Sequence, residues 1–510
     1  METVSADVLV LGGGAAGIRA ALAAARRGAS VAMVCAGQIT RSGSTFSPHA
    51  AGWGMQALVG DERTEEALEE FYQEILEVGL GCCDPRLAEV LVLESGPRWE
   101  DLVSFGLGFV KGSDGNHIRV RGCFSRSERA FVARMPEIRK TLGLMARASG
   151  VSTLTGTVVE LVTSNGRCWG AWILGKGDRW ILAKAGATVL AMGGGAAIFQ
   201  YHLAHDHQVG EGVAIAARAG AELSNMEFIQ FMLGIEDGGE VRFLPLDRLG
   251  REGSLLDQDA GDLLAGSLLC QETKDRAIAL RKAHYPFSCR DESVLVDLAV
   301  AKELREGAQV FWQEGGNGSR PLRVIVCCHA FNGGVMINEE GRTSLPGLFA
   351  AGEAAAGPHG ADRVGGAMIT ATQVFGARAG ESASREALQY RRFPSLNLHP
   401  PLPPGRPSRN GNPAACGSIR ERARRIISER LSILRDRPGL CLCLEELEQL
   451  EQELRETRTG PADRESRFRT LALLETASHV ARSALARTKS LGSHFRTDDP
   501  SFQAPTRHGP

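Results

Sequence analysis

Near the start of the chain the apolar positions form two unbroken runs, Val8–Leu11 and Ser30–Cys35, separated by an alanine-rich stretch from Ile18 to Arg27. A short β-branched-rich run without polar alternation predicts a strand covered on both faces, as in a parallel sheet. The alanine-rich stretch predicts a helix, stopped at Gly28. Two later segments repeat the first pattern, an apolar run that ends in glycines: "ATVLAMGGGAA" (187–197) and "LPGLFAAGEAA" (345–355). Three separated strand–glycine junctions predict an α/β domain assembled discontinuously, with an insertion between about 225 and 325. "LNLHPPLPPGRPSRNGNP" (396–413) reads as a proline-rich linker. From Ile419 to about Leu485, glutamate, arginine and leucine recur at helical spacing, as in "LEELEQLEQELRE" (444–456). That leucine stripe spans two heptads, fewer than a coiled coil of its own needs, and predicts the core of a helical bundle.

Composition narrows the class. With 510 residues the chain is long enough for two or three domains. A formal net charge of −2 argues against a nucleic-acid surface or a polybasic membrane anchor. No apolar window reaches 18 residues, so no membrane span is expected. The N-terminus runs straight into a strand without a basic, then apolar, leader, which suggests a cytoplasmic protein. The 12 cysteines include the pairs Cys82–Cys83 and Cys327–Cys328 but no CxxC, so zinc, c-type haem and ferredoxin-like motifs are missing and no metal site is expected. Glycine is the outlier. There are 61, grouped rather than periodic, as where backbone approaches a large ligand at several points. The loop "GPHGADRVGG" (357–366) sets Arg363 among four glycines and predicts backbone lying against such a ligand.

The first junction carries the sharpest motif. Gly12, Gly14 and Gly17, with Ala15 and Ala16 between, form GxGxxG inside a complete strand–helix–strand unit. Gly12 makes the turn, Gly14 lets a pyrophosphate approach, and Gly17 lets the helix pack on the strand. Phosphates would sit at the helix N-terminus, where free amides and the dipole favour anions. The acidic residue that usually ends the second strand is missing. Cys35-Ala36-Gly37 stands there, so the ribose must be held differently. Placement of the motif at the start of the chain favours FAD over NAD. Glu353, at the end of the third junction, presents a carboxylate suited to a ribityl or ribose hydroxyl.

Several blocks in order then resemble the FAD flavoprotein superfamily of succinate dehydrogenase, fumarate reductase and L-aspartate oxidase. They are "GGGAAG" (12–17), "TRSGSTFSPHAAGW" (40–53), "AMGGG" (191–195), "GEGVAIAARAGAELSNMEFIQF" (210–231), "CRDESV" (289–294), "HAFNGGVMINEEGRTSLPGLFAAGEAAAGPHGADRVGG" (329–366) and "ALARTKSLGSHFRTDDP" (484–500). The resemblance implies an α/β fold: a discontinuous Rossmann-like FAD-binding domain (1–225 and 325–385), an inserted α+β capping domain (226–324), a linker (386–414) and a C-terminal helical domain (415–510). It implies FAD held by the first junction, by Ser42, Gly43, Ser44 and Thr45, by Gly193 and Gly194, and by Glu353. Covalent members carry a histidine where this chain has Gly43, so the flavin is expected to be non-covalent.

The same resemblance assigns the chemistry. His329, in HxxxGG, and Arg363 bind a substrate carboxylate, and Arg290 of the cap shuttles the proton with a carboxylate at hand, Asp291 being its sequence neighbour. Asp247 falls where the family has a Thr-Glu pair. Three positions depart from the pattern: Met232 replaces a carboxylate-binding histidine, Leu246 replaces the threonine, and Asp362 replaces the asparagine beside Arg363, adding negative charge there. One half of a dicarboxylate site is therefore kept and the other eroded, which favours a monocarboxylate or bulkier unsaturated acid. The expected activity is hydride transfer between flavin N5 and a C–C bond next to a carboxylate. The alternatives are an L-aspartate oxidase, or a non-catalytic or electron-relaying flavoprotein subunit. The expected partners are a small carboxylic acid and an iron–sulfur or other electron-transfer protein, with no nucleic acid.

Overall fold

The computed structural model describes residues 1–47, 49–267, 270–315, 319–390, 393–394, 399–407 and 413–502. Residues 391–392, 395–398 and 408–412 of the expected linker, and 503–510 of the expected helical region, lie outside the described residues.

The first sheet contains β1 (Glu2–Leu11), β2 (Val31–Cys35), β3 (Ser152–Ser164), β4 (Arg167–Gly175), β5 (Arg179–Leu190) and β6 (Leu348–Ala350). The first residues of β3, then β2, β1, the end of β5 and β6 lie side by side and parallel. β3, β4 and β5 continue beyond that parallel region as an antiparallel meander. β1 starts earlier than its apolar run predicts, because Glu2–Ala6 pairs with Ile181–Ala185. That half is partly exposed, and only Val8–Leu11 is buried on both faces. All three glycine junctions leave the same edge of this sheet, at the ends of β1, β5 and β6.

Two helices cover that edge from one side. α1 (Ala15–Arg26) runs beside α2 (Ala367–Ala387). Their close approach comes from small residues: a Cβ on Gly380 would lie 2.2 Å from the Ala20 carbonyl oxygen, and one on Gly376 2.8 Å from that of Ala16. Val8, Val10, Ile18, Leu22, Met33, Val189, Val374 and Phe375 form the core between helices and sheet.

A second, antiparallel sheet has the strand order Glu240–Phe243, Ile229–Asp237, Leu322–Phe331, Phe311–Glu314, Gly253–Leu256. Helices Gln271–Lys282 and Val294–Arg305 lie close by, and Leu233, Leu255, Val300, Trp312 and Val324 share its core. Its two central strands slip register: Gln230 faces Ala330, but Phe231 faces Cys328. His329 is the extra residue, a bulge that re-aims one side chain.

Three further helices pack together as a bundle, α3 (Pro413–Arg430), α4 (Arg437–Glu456) and α5 (Arg464–Ala486). Leu440, Cys443, Leu447, Leu450 and Leu454 form one buried face of α4 and pack with Ile419, Ile427, Leu473 and Val480. The leucine stripe is bundle core. The same cluster includes Phe231 and Phe331 of the second sheet, and Phe468 of α5 packs with Val159, Trp172 and Leu182 of the first, so these helices brace both sheets. Among the described residues no helix is long and apolar enough to cross a membrane.

Candidate active site

A cavity of about 340 Å³ opens where the three junctions converge. Gly12, Gly14, Ala15 and Ala16 line it. Gly12 has φ +112°, and a Cβ there would lie 2.1 Å from the Ala191 carbonyl oxygen, so the turn requires glycine. Gly17 lies behind the lining: its Cβ would be 2.0 Å from the Gly12 carbonyl oxygen, which seats the helix on the turn. Gly14 is the N-cap of α1 and offers no side chain. The Ala15 amide donates to Thr45 Oγ1 (3.1 Å), and the next amides of the first turn have no acceptor within the helix. This is an anion-binding end suited to a pyrophosphate.

The second strand ends in Cys35, whose thiol is buried under Gly13 and pushed up to about 12 by that burial. It cannot stand in for a carboxylate. Other polar groups line the cavity instead. Ser42, Gly43, Ser44 and Thr45 come from the 40–53 block, and Ser44 Oγ donates to Gln208 Oε1 (2.8 Å). Gly193 lines the cavity, while Gly194 stands just behind, where a Cβ would meet Glu353 Oε1 at 2.5 Å. Glu353 reaches the cavity too, but its Oε1 accepts the Phe331 amide (3.0 Å), and burial pushes its carboxyl up. It therefore ties the third junction to the second sheet as well as facing the cavity.

Three lining residues carry no role legible from the motifs. Arg469 of α5 donates to Thr157 Oγ1 (3.1 Å) and lies 3.6 Å from Glu211, whose carboxyl burial pushes up to about 7. Glu211 sits in the "GEG" turn as the first residue of the Glu211–Arg218 helix, a placement that marks a first-turn acid in sequence. Thr157 and Arg469 carry no such mark, because they belong to a meander strand and a distant helix. Arg469 Nε is buried without a hydrogen-bond acceptor. Unused helix amides, a hydroxyl-bearing loop and a polar far wall fit FAD.

Elsewhere in the lining lies an anion site. Arg363 is buried, and its Nη2 donates to Gln230 Oε1 (2.5 Å). Its Nε has no partner, nor do Gln230 Nε2 and His359 Nε2. No carboxylate lies within ion-pair distance of Arg363 among the described residues; Glu353 favours its charge from further off. His329, on the bulge, also lines the cavity. Burial, then the Arg363 charge, hold its imidazole down to about 3, so it is neutral. A buried guanidinium with unspent N–H groups beside a neutral imidazole is suited to gripping a carboxylate.

A family model described as FAD binding domain matches residues 7–369, and one described as fumarate reductase flavoprotein C-term matches 420–508. The chain belongs to this FAD-binding flavoprotein family. The L-aspartate oxidase of Halobacterium salinarum is 30% identical, over 98% of this chain and 97% of its own. One subunit of the fumarate reductase (CoM/CoB) of Methanothermobacter marburgensis is 29% identical, over 98% and 95%. The E. coli quinol fumarate reductase FrdA shares the fold, with a TM-score of 0.78 at 22% identity over 98% of this chain and 92% of that one. The flavoprotein is an FAD-dependent oxidoreductase.

Other expected residues of the flavoprotein lie outside the cavity lining. Arg290 pairs with Asp362 rather than with its neighbour Asp291: its Nε lies 3.0 Å from Asp362 Oδ2. Asp291 instead accepts the Ser293 amide (2.9 Å). Asp362 thus turns away from Arg363, its neighbour in sequence. Asp247 is exposed and accepts the Tyr285 hydroxyl at 3.4 Å. Leu246 is buried in the second-sheet core, and Met232 packs with Leu203, Ile325 and Cys327. The loop glycines also serve a different purpose from the one expected. Cβ atoms on Gly357, Gly360 and Gly365 would strike Leu87, the Gly79 carbonyl and the Cys123 amide, so these glycines admit neighbouring protein. Of the loop, Arg363 and Gly366 line the cavity.

Proposed function

We propose that this flavoprotein transfers hydride between FAD and a C–C bond next to a single carboxylate, reducing an α,β-unsaturated acid. The observation that carries it is Arg363, buried with unspent donors beside neutral His329. In this reading residues 1–225 and 325–385 hold the flavin, 226–324 form a cap, 386–414 link, and 415–510 brace the rest. Bound FAD, when reduced, supplies the hydride to one alkene carbon. Arg363 and His329 bind the carboxylate and orient the double bond. The second alkene carbon takes a proton through Arg290, whose side chain is 21% exposed and so can be resupplied from solvent. Flavin electrons come from an electron-transfer partner, and the protein works in the cytoplasm.

The single-carboxylate reading rests on what surrounds the clamp. Gln230 and Met232 share a face of their strand, two residues apart. The group that follows Gln230 along that face is therefore a thioether, a poor hydrogen-bond partner. On the other side the Phe243 ring lies 6.3 Å from His329 and 6.1 Å from Tyr285. Asp247, which accepts the Tyr285 hydroxyl, would repel a second carboxylate.

The test is anaerobic photoreduction of the holoenzyme, then mixing with crotonate, cinnamate or fumarate while following flavin absorbance. Crotonate or cinnamate should reoxidise the flavin faster than fumarate. Reoxidation by none of the three sinks the proposal. The Halobacterium relative supports a second reading, L-aspartate oxidation, which the same instrument tests by mixing oxidised enzyme with L-aspartate and looking for bleaching.

A further inference from the structure

Four chain segments meet at one buried carboxylate. Asp362 Oδ2 accepts two hydrogen bonds from the cap, from Ser288 Oγ (2.7 Å) and from Arg290 Nε (3.0 Å). Arg290 Nη2 continues to the Val78 carbonyl (2.9 Å), near the end of helix Glu65–Gly79. Between the two cap donors, the Cys289 amide donates to the Gly492 carbonyl (2.8 Å), and Ser493 Oγ returns to the Ala361 carbonyl (2.7 Å). The cap is thus pinned to the flavin loop, to a flavin-domain helix and to the C-terminal segment within three residues.

The pinning is ionic at its centre. Asp362 is 1% exposed, and its other oxygen, Oδ1, has no partner. The Arg290 guanidinium lies 4.9 Å from the centre of the Phe124 ring, on which His284 of the cap is stacked at 4.5 Å. Of these contacts only the Asp362 pair neutralises a charge. An amide at 362 could keep its oxygen where both donors converge, with its NH₂ in the place of the unpartnered Oδ1, but it would remove the negative charge that faces the Arg290 guanidinium.

We propose that Asp362 is the latch that docks the cap onto the flavin domain, and that by holding Arg290 it acts as a positioning residue for proton delivery. The positioning half of this rests on the proposed function; the latch half does not. Arg363, the next residue, grips the acid, so one loop fixes both the substrate's carboxylate and the group that protonates its alkene. A buried charge stripped of its partner costs more than the loss of both charges together. The effects of changing Asp362 and Arg290 should therefore not multiply.

Two measurements on the holoprotein test this. The first is hydrogen exchange by mass spectrometry over residues 285–293, which needs no substrate. Asp362→Asn should speed exchange of the Cys289 and Arg290 amides about tenfold or more, with helix Val294–Arg305 unchanged. Arg290→Gln should do the same, and the double variant should exchange no faster than the faster single. The second is single-turnover reoxidation by whichever acid reoxidises the wild-type flavin fastest. Asp362→Asn should slow it about 100-fold, the scale of a misplaced general acid, with substrate affinity within about threefold because the Arg363 clamp is intact. Ser288→Ala removes one neutral hydroxyl; it covers the case in which Asp362→Asn does not fold, and it too should speed exchange at Cys289. Wild-type exchange in either the Asp362→Asn or the Ser288→Ala protein, or single effects that multiply in the double variant, overturns the latch. Loss of affinity with an unchanged rate overturns the positioning role. If no acid reoxidises the wild-type flavin, the proposed function fails while the exchange result still decides the latch.

Discussion

Replacing Arg363 should separate binding energy from stability. The guanidinium has five N–H donors, and one nitrogen, Nη2, is committed to Gln230. Nε is unspent and lies on an edge that can present two parallel donors to a carboxylate. Each hydrogen bond to a charged partner contributes about 1.5–3 kcal/mol, so a two-point clamp is worth about 3–6 kcal/mol. At about 1.4 kcal/mol per factor of ten, Arg363→Met should lower kcat/KM by about 10²–10⁴-fold. Arg363→Lys keeps a charge but not the fork, and should lose about half of that energy, a factor of about 10–100. Folding stability should move the other way. Burial holds the Arg363 pKa below its ordinary value, so the charge is costly in the folded protein, and no close carboxylate repays it. An apolar side chain of similar length removes that cost. Arg363→Met should therefore melt at the same temperature as wild type or higher, read by calorimetry on the FAD-bound protein, while turnover in the flavin reoxidation assay collapses. A lower melting temperature with kcat/KM within about threefold of wild type would refute the reasoning, because it would make Arg363 a structural cation.

Three further outcomes follow from the same geometry. Gly17→Ala drives a methyl to within 2.0 Å of the Gly12 carbonyl, so α1 must shift; the purified protein should carry little FAD, read from its flavin-to-protein absorbance ratio, and full occupancy would contradict the packing role. Acid precipitation should leave the yellow colour in the supernatant, since Gly43, at φ +91°, has no side chain to bond the flavin; colour in the pellet would contradict this. His284, His329 and His494 are held neutral, at about 4, 3 and 2, by burial and then by neighbouring arginines. All three lie below the ordinary value near 6.5, so the unfolded chain takes up protons first. The stability they allow is complete above about pH 6.5 and is lost as pH falls toward the folded values, by about 1.4 kcal/mol per pH unit per histidine. Urea unfolding between about pH 7 and pH 5 should show this slope, and His329→Asn should reduce it by one proton; an unchanged slope would mean that His329 is charged.

Much of the flavin cradle is legible in sequence because it depends on backbone. Val8–Leu11 reads as a strand because nothing on either face is polar, whereas Glu2–Ala6 pairs with β5 through a half-exposed stretch whose pattern signals little. Gly12 and Gly17 read correctly because a turn of fixed spacing leaves one use for each. The loop 357–366 misleads for a related reason. A glycine that admits a ligand and one that admits a neighbouring carbonyl look the same, and Gly357, Gly360 and Gly365 are of the second kind. Contacts between distant segments leave the weakest trace. Arg469 reaches the cavity from a helix whose pattern speaks only of bundle packing. Sequence adjacency suggests Arg290–Asp291, yet Asp291 is taken by the Ser293 amide and the ion pair forms with Asp362.

The departures at 232 and 362 have a common consequence for charge. With a neutral side chain at 362, the Arg290 charge would be left unpaired beside the loop that carries Arg363, which would favour a substrate with a second carboxylate. Asp362 neutralises Arg290 at 3.0 Å and leaves Arg363 as the cation with donors to spare. Met232 then removes the hydrogen-bonding group on the strand face next to Gln230, where a second carboxylate would need one. A substrate with two charges would have to leave one of them desolvated and unpaired, a penalty larger than the clamp itself repays. A single charge meets one cation, one neutral imidazole and an apolar wall. On this arithmetic Asp362→Asn, besides loosening Arg290, should shift preference toward the dicarboxylate: fumarate should gain on crotonate in the reoxidation assay. A crotonate-to-fumarate ratio that does not fall in this variant would show that charge balance at Arg290 does not set the choice of acid.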